Sequence, residues 1–563
     1  MARKCNKSDL QSLPKCARDF IKLVIIKMRY RKKVRADVQD ELSAHFEDEL
    51  RDCATDKEKE QKAQQLIEQF GDAKLLGILL RRAKKRCRPL WRTIVARTFQ
   101  AIGILILCFI FYTIWFLTGK PTISVDYLAI INQMNKPELS EKDNAWPHYE
   151  KAIELYVKPS ENLEETDTFR NYKEIKSFGD ITAEEKKEVI DWVGQNQAAW
   201  QEFATASSKL HCYRKAEYNT KDEEKWLWNI LMPELAELRG LSKLGIWRAK
   251  INVEQNKIQQ SVEDCLVIIK TGRFWQNSKV SIVEQLVGLA ISRLAHQEIL
   301  HITETEKLSA AQLKRLQQQL LEIYPSGFPP MDIEGERLMF LDIVQHVFTD
   351  RGPGGGHLIP ERLCFLNDAL CGSQDFLSVE TGLGETFLLA GPAMYHARRN
   401  ETVAKGNEYY DQLAQISKMT PYERHINEID EDEMILSLRK WRYVLISIFM
   451  PALGRASEVV YRVQILHEAT ITVLALQRWR LERNGYPADL DELVTAGYLN
   501  ELPMDPYSDK PLVYKKTDDN FILYSVGRNF TDDGGEYGKD RKGKPRLWYS
   551  LDGDAIFWPI QRN

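Results

Sequence analysis

No two of the nine cysteines form a C-x-x-C pair, which excludes a zinc ribbon or a thioredoxin-type motif. A phosphate-binding loop is also missing. RGPGGGHLIP, Arg351 to Pro360, is rich in glycine but lacks the Lys-Ser/Thr that completes one. There is no G-x-S-x-G, and HQEILH sets His296 and His301 five residues apart, off the i,i+4 spacing of H-E-x-x-H. Neither sign of charge is in excess. The 78 basic and 81 acidic residues leave a net charge of -3, so nothing draws the chain as a whole toward nucleic acid. VLISIFMPALG, Val444 to Gly454, is too short to span a bilayer and is interrupted by Pro451. With no nucleophile, metal set or acid–base pair standing out, the chain reads as a non-enzyme.

What is present is length and one long apolar stretch. At 563 residues there is room for several domains, and 44% hydrophobic with 28% charged residues fits neither disorder nor a polytopic membrane protein. Thr98 to Gly119 carries no charge. As a helix it would extend roughly 33 Å, enough to cross the hydrocarbon core. Tyr112 and Trp115 sit toward its distal end, as interfacial aromatics do. The stretch lies too deep in the chain for a secretory signal peptide, and it is read as a single anchor at 97–119. Eight basic residues precede it, from Arg81 to Arg97, while only Lys120 and then Lys136 follow. The positive-inside rule therefore puts the N-terminus in the cytoplasm and everything after residue 120 outside. Cys212, Cys265, Cys364 and Cys371 fall on that far side, as two disulfides in any of three connectivities or as free thiols.

Residues 1–92 read as a small helical domain. Phe20, Leu23, Val24 and Met28 recur at helical spacing, and Val34, Val38, Leu42, Phe46 and Leu50 share one face. Gly71-Asp72 stops one helix and starts the next. His45 has no second His or Cys beside it, so it is read as a packing or surface residue. The basic run Met28 to Arg35 is either a lipid-headgroup contact or a solvated helix end. ELSAHFEDEL followed by IEQFGDAKLLGILLRR resembles the helical prefix domain found before bacterial permeases and in HAAS-type signalling proteins. The resemblance implies an interaction module with a cytoplasmic partner.

Residues 120–457 read as an irregular helical array. DNAWPHYEKAIELY, Asp143 to Tyr156, looks like the first helix of a repeat unit. Leu241 to Trp275 reads as two antiparallel helices joined near Gln255–Lys257, and SIVEQLVGLAISRLAHQEILHI adds another amphipathic helix. No 34-residue period can be laid down, yet such arrays present concave surfaces suited to proteins or peptides. Trp226, Trp228, Trp247 and Trp275 are read as core aromatics. The glycine-rich segment is read as a flexible excursion between helices, or else as a recognition loop.

Residues 458–563 begin with a long helix that stops at Asn484-Gly485, with Pro487 beyond. Phe521 to Val526 and Leu547 to Ser550 are β-rich, separated by Gly, Asp and Asn turns. The order NGYP-x-x-L-x-x-L, GYL, P-x-DP, KP-x-x-Y, F-x-LYS-x-G and DDGG resembles the globular domain of the type II secretion major pseudopilin. In that family the loop after the LYS-x-G strand holds calcium through acidic side chains and carbonyls. The resemblance makes Asn529, Asp532, Asp533, Asp552 and Asp554 candidate calcium ligands here; ordinary Asx/Gly turns are the other reading of the same residues. The family has Asp-Gly directly after the strand, where this chain has Asn529-Phe530. Its N-terminal membrane helix also runs straight into this domain, whereas here the span lies far upstream.

The expected fold is therefore mainly α: a cytoplasmic helical domain, one transmembrane helix, an extracytoplasmic helical-repeat-like array and a small α+β pseudopilin-like end. The combination resembles envelope proteins of planctomycete-type bacteria. The expected function is a single-pass scaffold or adaptor that binds protein partners outside the membrane, coupled to a cytoplasmic regulator or permease. The alternatives are an accessory component of a type II secretion or pilus-like machine, and an envelope hydrolase with its site near Gly352–Gly356.

Overall fold

The computed structural model describes residues 10–86, 90–170, 178–218, 225–230, 232, 234–362, 393–430, 433–434, 438–439, 442–449, 453–539 and 553–560. Cys364, Cys371, Asp552 and the expected strand Leu547 to Ser550 lie outside the described residues. The chain divides into two compact units, Met1–Trp115 and Phe116–Asn563. Helices of nine residues or more are numbered below.

In the first unit α1 (Lys15–Met28), α2 (Lys32–Leu50), α3 (Asp56–Phe70) and α4 (Ala73–Arg86) enclose one small core. The stripe expected on α2 is observed, with Val38, Leu42, Phe46 and Leu50 buried and Val34 half-buried. Thr55 and Glu58 form a reciprocal capping box at the start of α3, and Gly71 ends it at φ 70°. His45 packs edge-on against Phe70, with ring centroids 5.5 Å apart. Helix α5 (Leu90–Leu117) carries the apolar stretch. Phe99, Ile104, Leu105, Phe109 and Phe111 on it are all exposed, so it has the length and the surface of a membrane helix.

A second helix also passes that test of length and apolarity. Ala456–Arg483 is 78% buried over its most apolar stretch, against 11% for Ile94–Leu117. The single anchor expected at 97–119 leaves this helix to the C-terminal domain. Its polar residues and its burial make it the central core helix of the second unit.

The second unit comprises α6 (Tyr127–Asn135), α7 (Trp146–Leu155), α8 (Ala183–Gln195), α9 (Gln197–Ser207), α10 (Glu234–Glu254), α11 (Ile258–Gln276), α12 (Ile282–Thr305), α13 (Ala310–Leu321), α14 (Glu334–Val347), α15 (Arg399–Ile416) and α16 (Leu453–Arg483). The expected hairpin is α10–α11, turned by Asn256 at φ 57°. Helices α11 and α12 approach so closely that a Cβ on Gly288 would lie 2.5 Å from the Gly272 carbonyl oxygen. Only glycine fits there. One hydrophobic core runs from Ala145 through Trp247, Ile268 and Ile299 to Leu476, Phe521 and Trp558. Residues on both sides of position 458 contribute to it.

The small sheet has β1 (Val513–Lys516), β2 (Phe521–Ser525) and β3 (Ala555–Trp558), antiparallel in the order β1-β2-β3. Val513 pairs with Tyr524 and Leu523 with Trp558, with a bulge between Leu523 and Tyr524. The glycine-rich segment is a tight hairpin and not a loose excursion. Phe348 bridges Leu358, and Thr349 N–H donates to the His357 carbonyl at 3.0 Å. Gly356, at φ 122°, leaves no room for a side chain beside the Thr349 carbonyl. The hairpin positions His357, whose Nε2 is 3.1 Å from the Phe116 carbonyl and whose ring stacks on Phe116 at 4.4 Å. Burial pushes this imidazole below its ordinary pKa. Gln345 then holds the Ser124 and Val125 N–H groups at 3.2 Å, so the first residues of the unit are fastened at two points.

Candidate functional site

The loop singled out after β2 is a closed set of hydrogen bonds. Asp532 accepts from the Tyr524 hydroxyl at 2.7 Å and from Gly534 N–H at 2.9 Å, an Asx turn. The Tyr524 hydrogen bond holds its carboxyl below the usual range. Asn529 donates its amide to Asp533 at 2.6 Å, and Asp533 also accepts from Gly553 N–H at 3.1 Å. Asp554 is 2% exposed and uses both oxygens, accepting from Asp533 N–H at 3.2 Å and Gly535 N–H at 2.6 Å. Burial, with the nearby Asp532 and Asp533 charges, pushes its carboxyl up to about 6.

Asn529, Asp532, Asp533 and Asp554 are thus brought together, but with N–H and O–H donors pointing at their oxygens. That is the arrangement of a turn network. A calcium shell needs six to eight oxygens free to face one cation. Among the described residues no group of three or more His, Cys, Asp or Glu side chains is placed to hold a metal. Phe530 adopts the left-handed conformation, φ 57°, that Gly would take without strain. Its ring stacks on His425 at 4.1 Å, which offsets part of that cost.

A second feature was not legible in the sequence. A cleft of about 300 Å³ opens between the end of α6, the extended segment 210–214 and the α11–α12 turn. Its walls are pinned by side-chain amides. Asn132 exchanges two hydrogen bonds with the Ala216 backbone at 2.7 and 2.9 Å, and Asn144 does the same with Tyr213 at 2.8 and 3.0 Å. Asn135 accepts from Lys279 N–H at 3.0 Å. These contacts bring Lys136, Arg214, Arg273 and Lys279 around one opening.

Arg214 is fully engaged. It bridges Glu234 at 2.7 Å and Glu284 at 2.9 Å, with its guanidinium over the Trp146 ring. Ser278 donates a further hydrogen bond to Glu284. No ion pair among the described residues takes up Lys136, Arg273 or Lys279. The cleft therefore has one buried acid, Glu284, paired with Arg214, and three cations with no ion-pair partner among the described residues. Trp275 lies in its wall at 4% exposure, with a buried indole N–H that has no hydrogen-bond partner, and Leu210 projects at the rim.

Other tempting residues are placed elsewhere. His296 does not meet His301 on a metal; it faces His467, ring nitrogen to ring nitrogen at 3.3 Å, and burial keeps it neutral. His301 lines a separate cavity of about 310 Å³ above the buried Lys250–Glu298 pair, whose N···O distance is 2.6 Å. Burial raises the Glu298 carboxyl while Lys250 opposes the rise. Trp226 and Trp247 are fully buried and Trp275 nearly so, as core aromatics should be, while Trp228 is half-buried against the core. Cys212 and Cys265 are free thiols. No protein-family model, no curated protein and no solved structure matches the chain.

Proposed function

We propose that the protein is a membrane-anchored scaffold that binds protein partners through its second unit. The observation that carries this reading is the pairing of an exposed apolar helix, Ile94–Leu117, with a helical unit whose cationic cleft has charge left unengaged. In this reading the helix crosses the bacterial inner membrane once, and the basic cluster Arg81 to Arg97 keeps the N-terminal helices in the cytoplasm. The partner then binds on the opposite side, and α1–α4 engage a cytoplasmic regulator or permease.

Protease added to intact spheroplasts tests the topology. The second unit is expected to be digested while residues 1–92 survive, and the protein should resist extraction by carbonate. Release by carbonate, or protection of the second unit, would overturn the anchor. The partner half is tested by cross-linking in cells with reactive groups spread over the second unit. Recovery of the same partner from several positions supports it, and recovery of none refutes it.

A further inference from the structure

We infer that the cleft between α6, residues 210–214 and the α11–α12 turn takes an acidic peptide segment of the partner; this rests on the scaffold reading above. Four observations converge. The first is charge: Lys136, Arg273 and Lys279 line the cleft with no ion-pair partner among the described residues, while Arg214 bridges both Glu284 and Glu234. A carboxylate entering the opening meets four cations, Arg214 included, against two acids that Arg214 bridges. The second is size. About 300 Å³ holds one or two side chains with their backbone and lies at the small end of ligand sites, so only a short stretch of a partner inserts.

The third is the mixed surface. Leu210 is 68% exposed at the rim, and Met134, Pro137 and Phe274 line the same cleft. An apolar residue beside the acidic one can cover that surface, which a bare inorganic anion cannot do. The fourth is rigidity. The Asn132, Asn135 and Asn144 side-chain amides fix the walls to the backbone on each side. A preformed cleft loses little conformational freedom on binding. Cationic or purely apolar segments are disfavoured by the same charges.

The test uses the full chain in detergent micelles and two synthetic probes, Ac-Glu-Asp-Phe-Glu-NH2 and Ac-Lys-Lys-Phe-Lys-NH2, titrated by calorimetry. Wild type is expected to bind the acidic peptide and not the basic one, with affinity falling as salt rises. Lys279→Glu and Arg273→Glu should each weaken it at least fivefold, and the double change at least fiftyfold. Lys279 is exposed, and no hydrogen bond or ion pair among the described residues involves its side chain, so its variant keeps the test valid if Arg273→Glu unfolds. No acidic binding, or binding unchanged by Lys279→Glu, overturns the assignment. Competition by millimolar inorganic phosphate with no peptide binding would make this a small-anion site and equally overturn it. If the peptides fail while in-cell cross-linking still recovers one partner from elsewhere on the unit, the scaffold reading stands and only this site falls. If both fail, both fall.

Discussion

The acidic loop after β2 and the basic cleft beside α11 are both dense in charge, but the loop's charges are engaged and the cleft's are not. Asp532, Asp533 and Asp554 each accept hydrogen bonds from the loop's own backbone, from Tyr524 or from Asn529. In the cleft Arg214 is the one cation paired among the described residues, and Lys136, Arg273 and Lys279 line the opening. The loop is conspicuous in sequence because its residues are adjacent. The cleft is inconspicuous because its residues come from three separate segments. Local density of one charge is thus a poor guide to a site, and what matters is whether the fold already satisfies it.

If engaged charges are structural, removing a partner should cost stability, most of all where the pair is deepest. Glu298→Leu removes the carboxylate 2.6 Å from the Lys250 ammonium, a side chain 2% exposed. A loss of about 3–5 kcal/mol in denaturant unfolding is expected. A loss under 1 kcal/mol would show that Lys250 finds another acceptor.

Asp505→Ala comes next. This carboxylate is 1% exposed and accepts from Ser525, Tyr507 N–H and Val526 N–H, tying the residues before β1 to the end of β2. Orphaning those donors should cost about 2–3 kcal/mol, read in the same unfolding series.

Asp554 makes a pH-dependent case. Its carboxyl is pushed up to about 6 in the folded chain, against about 3.9 in an unfolded one. The folded state therefore holds more protons between those values. Its contribution is fully present below about pH 4 and is lost as pH rises through about 6. Asp554→Asn removes the titration, so the stability difference between wild type and variant should shrink by about 1–2 kcal/mol from pH 4.5 to 7.5. A difference constant with pH would contradict the buried geometry.

The smallest effects belong to the cleft. Arg273→Ala and Lys279→Ala should each change stability by under about 0.5 kcal/mol while weakening acidic-peptide binding. A large stability loss would make them structural cations and erase the contrast.

Periodicity made the helices legible. The stripe of α2, the Gly71-Asp72 break and the hairpin at Asn256 each depend on residues within a few positions of one another. The same holds for the β2 strand and for the stop of α16 before Asn484. Features that depend on distant partners were not legible. The glycine-rich hairpin is closed by Thr349 and His357 and seated by Phe116, more than 230 residues upstream in sequence. That distance hid its tightness. Phe530 stands where the resemblance has glycine, and it holds the left-handed conformation with His425 stacked on its ring. The cleft depended on three asparagine side chains joining segments that share no motif.

The most direct measurement is a photo-crosslinker at Asn277, an exposed residue of the cleft, in the full-length protein in living cells. The cross-linked peptide would be sequenced for wild type and for the Arg273→Glu, Lys279→Glu double variant. The account predicts an acidic segment of one partner in wild type and its loss in the double variant. Cross-links to a basic or uncharged segment, or an acidic one that persists after charge reversal, would contradict it.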